Sequence, residues 1–171
     1  MRISFLHLSD SHLDRSDGIH PAKIQAIVDS LGIYTPFDGI VIIFSGDIVA
    51  SGQANQYKIA STFLKRLIPQ LETKYSLNKK NIKVLIVPGN HDVDWGGKPR
   101  LDSSKIRSFV EDEKNSYLRQ ELKCMKNFFS FSDRNGCFFP YWMDVPFGQL
   151  VTRKILHFDN GYRIEANLIN T

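Results

Sequence analysis

The sequence predicts an α/β fold: a largely parallel sheet with helices packed on it. Two observations carry that expectation. Dense apolar runs at residues 3–8, 39–44 and 84–87 alternate with stretches of helical periodicity, a β-α-β-α-β order. Each run also stops abruptly at a turn rich in Asp, Asn, His, Ser and Gly. With 171 residues, 42% of them apolar and 23% charged, the chain fits one ordinary domain and not a disordered or fibrous class.

Residues 3–8 read as a buried strand bounded by the polar stretch from Ser9 to Gly18. Residues 21–31 read as a helix: Pro21 suits its first turn, Ile24, Ile27, Val28 and Leu31 share one face, and Gly32 can end it. The β-branched run 39–44 suits a strand buried on both faces. A second helix spans 54–68 with Ile59, Phe63 and Leu67 on one face, and Pro69 is expected to kink it before it resumes toward Tyr75. Residues 84–87 form the third strand, stopped by Pro88-Gly89.

Beyond that alternation the pattern changes. Residues 103–110 and 116–131 read as helical, an insertion over about 103–131. The aromatic stretch 138–147, with Pro140 and Pro146, reads as a folded-over loop. Residues 149–158 and 162–169 read as a hairpin closed by a two-residue Asn160-Gly161 turn.

Charge and cysteine content narrow the classes further. The net charge of +4 comes from 22 basic against 18 acidic residues, and Lys65-Arg66 and Lys79-Lys80 read as a solvated helix face and a loop rather than a dense basic stripe. Cys124 and Cys137 are too few and too far apart for a disulfide framework or a Cys-x-x-Cys zinc site. The apolar N-terminus is too short for a signal peptide, and no run approaches the ~18 apolar residues of a membrane span. The expectation is a cytoplasmic protein with reduced thiols and no membrane partner.

The chemistry lies where the strands stop. Strand one runs into Asp10-Ser11-His12, strand two into Gly46-Asp47, and strand three into Gly89-Asn90-His91-Asp92. In a parallel sheet the carboxyl ends of the strands share one edge, so three separate segments converge. The side chains suit divalent ions. Asp10 and His12, at i and i+2, leave one face of an extended chain and can grip one metal. Asp47 has two oxygens and can bridge two metals ~4 Å apart. Asn90 offers a neutral carbonyl oxygen, His91 an imidazole beside it, and Asp92 a carboxylate that could orient that imidazole. A phosphodiester repels hydroxide. Two metals offset that charge, generate hydroxide from a shared water and stabilise the in-line displacement, and a protonated imidazole serves the leaving oxygen.

Asp-x-His, Gly-Asp and Gly-Asn-His-Asp, each after an apolar strand and in this order, resemble the calcineurin-like metallophosphoesterase superfamily. The resemblance is strong over residues 1–95 and loose beyond. It implies a four-layer αββα sandwich of two mixed sheets flanked by helices. It implies two divalent ions, of manganese, iron, zinc or nickel. Asp10 and His12 would hold the first ion, Asp47 would bridge, and Asn90 would hold the second. Asn90 and His91 would contact the phosphate of a phosphomonoester or phosphodiester substrate. His91 would assist the leaving group with Asp92 behind it. The opening 5–13 is similar to both the cyclic-nucleotide phosphodiesterase and the DNA-repair nuclease branches, so a nucleic acid is a candidate substrate.

This chain departs from the family pattern in its histidines. It has five, His7, His12, His20, His91 and His157, none in the Gly-His-x-His context that closes both metal shells. The second ion would hold only Asp47 and Asn90. The chain ends on the apolar 166–171, which reads as truncation on the C-terminal side of the domain, with further domains in a parent protein, an exposed apolar patch and little turnover from this piece alone. The alternative is a metal-poor, non-catalytic scaffold that binds a protein partner. Several residues read as structural: His7 and His157 as strand residues, His20 as a solvated helix-start residue, Arg15 as a loop arginine, Gly96-Gly97-Lys98 as a flexible turn, and Phe128 to Phe131 as core. Trp95 either lines a cleft or closes its loop.

Overall fold

A computed structural model of the chain describes residues 2–15, 19–32, 36–96, 124–137 and 151–169. Strands β1 (Ile3–Leu8), β2 (Gly39–Ser45) and β3 (Ile82–Val87) form a parallel sheet in the order β1-β2-β3. Their ends are level: Leu8 pairs with Phe44, and Phe44 with Ile86. The three turns that follow therefore leave the sheet along one edge.

Alternation divides the sheet residues between two cores. Leu6, Ile40, Ile42, Phe44, Ile82, Val84 and Ile86 face helices α1 (Pro21–Ser30), α2 (Ala54–Tyr75) and α3 (Lys126–Asn135). Val41 and Leu85 face the opposite way, onto Leu156, Phe158 and Leu168. The central strand is thus buried on both faces, as its β-branched run predicts. Leu156, Phe158 and Leu168 belong to the hairpin of β4 (Val151–His157) and β5 (Arg163–Ile169), which pair antiparallel. Asp159 N–H donates to Asn81 Oδ1 at 2.9 Å and ties the hairpin loop to the 3-10 turn Lys79–Asn81 before β3.

The described layers are helices, a parallel sheet and an antiparallel hairpin. The four-layer sandwich of two mixed sheets is only partly reproduced: neither sheet is mixed, and no outer helical layer lies on the hairpin among the described residues. Residues 103–110, 116–123 and 138–147 fall outside the described residues, and so does most of the expected insertion. Apolar exposure is concentrated at Phe5, 55% exposed on the hairpin side of the edge strand β1, with Tyr162 and Ile155 on the hairpin itself.

Three local expectations are corrected. The third strand starts at Ile82, two residues early, because Ile82 and Lys83 already pair with Ile40 and Val41. The hairpin turn has three residues rather than two. Phe158 N–H donates to Tyr162 O at 2.9 Å and Gly161 N–H to Phe158 O at 3.0 Å, and only Gly161 has positive φ, 81°. A two-residue type I′ turn needs positive φ at both central residues, which Asn160 lacks.

The third correction is Pro69. Helix α2 runs unbroken from Ala54 to Tyr75 with Pro69 inside it. Proline in a helix interior costs about 3 kcal/mol. Phe63, Leu64, Leu67, Leu71 and Tyr75 are buried on either side of it, and at roughly 1.5–3 kcal/mol for each buried large apolar side chain that anchoring outweighs the penalty. Pro69→Ala is expected to raise the stability of the chain by about 1–3 kcal/mol, read as a higher thermal midpoint.

Candidate metal centre

The turn after β1 and the turn after β2 are stitched together by backbone. His12 N–H donates to Asp47 O at 3.0 Å and Leu13 N–H to Ile48 O at 2.9 Å. The turn after β3 joins through side chains: His91 N–H donates to Asp47 Oδ1 at 2.9 Å. Gly89 lies against Asp47 so closely that a Cβ there would collide with its carboxylate and amide nitrogen. Only glycine permits that approach.

This stitching brings Asp10, His12 and Asp47 to one point, with one potential ligand atom from each within 4.8 Å of the others. Two ligands ~2.1 Å from one ion stand at most about 4.2 Å apart, so the triad closes on a divalent ion after a shift of about half an ångström. The donor set, two carboxylates and an imidazole, suits such an ion. Asp10 is exposed and Asp47 half-buried, which leaves the site open to solvent.

The backbone is not extended here, contrary to the i, i+2 argument. Asp10, His12 and Asp47 have φ of 48°, 41° and 49°. Of the four non-glycine residues with positive φ among the described residues, three are this triad. Such conformations cost about 1–3 kcal/mol each and persist only where the surroundings impose them. The cross-turn hydrogen bonds of His12 and Asp47 impose them here.

His91 stands beside His12, ring centroids 4.9 Å apart and edge-on at 83°. Its Nδ1 is 2.8 Å from Ala50 O. A carbonyl only accepts, so Nδ1 carries a proton and Nε2 is the nitrogen free to exchange one. Asn90 sits on the 3-10 turn Asn90–Asp92 between Gly89 and His91, and its exposed position leaves the amide accessible. Its backbone carbonyl accepts from Trp95 Nε1 at 3.2 Å, so Trp95 closes its loop onto this turn.

Asp92, expected to orient the His91 ring, acts on it only at one remove. Its fully buried carboxylate accepts from Ile48 N at 3.2 Å, Val49 N at 3.1 Å and Gly89 N at 2.9 Å. It clamps the turn after β2 to the turn after β3, and the ring of His91 is set by the Ala50 carbonyl. Burial pushes the Asp92 carboxyl above the usual carboxylate range; the three backbone donors pull it back, and neighbouring Asp47 adds to the rise.

Tyr57 completes the clamp and was not singled out in the sequence. Its hydroxyl donates to Asp92 O at 2.8 Å and approaches Asp92 Oδ1 at 3.3 Å. Burial, the first cause, and Asp92 beside it push the phenol far above its ordinary range, so it stays a donor. The only sequence signal is its place on the buried face of α2, three residues before Ala60 and seven before Leu64; a buried phenol needs an acceptor.

The remaining histidines lie elsewhere. His7 is exposed, with Nε2 2.7 Å from Ser45 Oγ. His20 caps α1, its Nδ1 accepting from Ala22 N at 3.2 Å. His157 is an exposed residue of β4. Arg15 stands 3.8 Å from Asp14 on the surface. Phe128 and Phe131 are buried core residues. Cys137 is buried too, and burial pushes its thiol up to about 12. Lys98 and Gly97 lie outside the described residues, and no described helix is long and apolar enough to cross a membrane.

The family model for calcineurin-like phosphoesterases matches residues 3–163. Among curated proteins and among solved structures, no match was found. The match begins with the first residue of β1 and runs through the turns after all three parallel strands into the hairpin, so the chain belongs to the calcineurin-like phosphoesterase family.

Proposed function

We propose that this centre hydrolyses phosphomonoesters or phosphodiesters with divalent metal. Asp10, His12 and Asp47 would hold a first ion, and Asp47 with Asn90 would serve a second. When bound, the ions offset phosphate charge and lower the pKa of water, the chemistry that hydrolysis at neutral pH needs.

The residues of the chain do the rest. His91, fixed through Nδ1 on Ala50, presents Nε2 beside His12, where it can hold a proton for the departing oxygen. Asn90 and His91 flank the phosphate. Among the described residues Asp47 and Asn90 alone would serve a second ion, so it would be weakly held and turnover low.

One observation carries this reading: three potential ligand atoms lie within 4.8 Å of one another, all on left-handed backbone. A non-catalytic scaffold has no use for three strained residues in one place. The test is hydrolysis of bis-(p-nitrophenyl) phosphate in manganese. A rate above the metal-only background, lost in His91→Ala, is expected. No turnover, or turnover indifferent to that change, defeats the proposal.

A further inference from the structure

A groove of about 460 Å³ runs between α2 and α3. Its cations, Lys58 and Lys65 on α2 and Lys126 and Arg134 on α3, come from segments some sixty residues apart, and no carboxylate lines it. None of the four pairs with a carboxylate among the described residues. All four are exposed. At 1.5 Å of rise per residue, Lys58 and Lys65 start about 10 Å apart along their helix, and Lys126 and Arg134 about 12 Å apart. The charges form two rows along a channel and do not converge on one point.

We propose that this groove binds the sugar-phosphate backbone of a single nucleic-acid strand. An extended polyanion with regular charges matches two rows of cations better than one compact phosphate does. Hydroxyls of Ser61 and Ser130 line the same groove, and Lys, Arg and Ser are among the usual donors to phosphate oxygens. The two aromatic residues of the lining, Tyr57 and Phe131, are only 4% and 2% exposed. No ring is offered for a base to stack on, so the strand is held by its backbone and not read in sequence. An acidic peptide would need carboxylates at chosen positions; a phosphodiester strand supplies a charge at every residue.

The groove also borders the segment between β2 and α2 that carries Asp47. Ala54 lines it, and Asn127, also in the lining, donates from Nδ2 to Gly52 O at 2.9 Å. Two residues before Gly52, Ala50 fixes His91. The groove therefore names the substrate class of that centre as a nucleic-acid strand, a step that rests on the proposed hydrolase reading; the binding itself does not.

Fluorescence anisotropy of a labelled oligothymidine of about 12 nucleotides, titrated with the full chain in EDTA, tests binding without cleavage. Four phosphate contacts at about −0.7 each give a slope of log affinity against log salt near −3. The Lys65→Glu/Arg134→Glu pair is expected to weaken binding at least tenfold, with an unchanged circular dichroism melt, and Lys58→Gln/Lys126→Gln to reduce the slope by about half. No binding at low salt, binding by both variants equal to that of the native chain, or polyglutamate competing as well as the oligonucleotide would overturn the groove. Binding without turnover of bis-(p-nitrophenyl) phosphate upholds the groove and removes the hydrolase reading, and turnover without binding does the reverse.

Discussion

Asp47→Asn is expected to weaken manganese binding by at least about 100-fold, because losing a direct ligand exceeds the 10–100-fold that losing an outer partner costs. The change is deliberately small. Asparagine tolerates left-handed backbone better than almost any other side chain, so the φ of 49° at this position survives. Its Oδ1 still accepts from His91 N–H, the contact made at 2.9 Å in the native chain. What is lost is one negative charge and the second anionic oxygen, the features that let Asp47 serve one ion or bridge two. Calorimetric titration with manganese measures the effect, and Asp14→Asn, an exposed acid paired with Arg15, is the control expected to leave affinity unchanged.

The largest stability effect is expected at Asp92. Asp92→Ala removes the acceptor for two buried N–H groups, those of Ile48 and Val49, and a half-buried one, that of Gly89. Each buried donor left unpaired costs about 1–3 kcal/mol. The loss of an ionisable group whose own burial is unfavourable, as the raised Asp92 pKa indicates, offsets part of this. A net loss of about 3–5 kcal/mol is expected, which at 1–3 kcal/mol per molar lowers the urea midpoint by about 1 M or more. Asp92→Asn should fall between: whichever way the amide turns, its NH₂ faces at least one of those N–H donors. The Gln56 side chain, buried nearby in sequence on α2, accepts instead from Ser51 N and Oγ and cannot replace the lost carboxylate.

The strands and the polar turns that follow them were legible because they depend on local pattern. A β-branched run such as 39–44 states its own burial, and Asp10, Asp47 and His91 each follow such a run directly. What was not legible depends on distant partners. The left-handed backbone of His12 and Asp47 comes from hydrogen bonds between two turns 35 residues apart in sequence. Tyr57 gives no hint that its acceptor is Asp92, again 35 residues away. Pro69 reads as a breaker because the packing of Leu67 and Leu71 that overrides it is tertiary. The hairpin loop misled for a different reason: Asn160-Gly161 suits a two-residue turn, but Phe158 is committed to the core with Val41 and Leu85, and that placement sets the register one residue wider. The basic groove was hidden because its cations are divided between two helices. Each looks like a solvated face until the two lie side by side.

Asp10, His12 and Asp47 are expected to form a divalent-metal site. Its most direct test is a crystal of the chain grown with manganese and measured for anomalous scattering. A peak is expected about 2.2 Å from a carboxylate oxygen of Asp10, a ring nitrogen of His12 and a carboxylate oxygen of Asp47. A map without a peak there at saturating manganese, or with its peak on other residues, would contradict it.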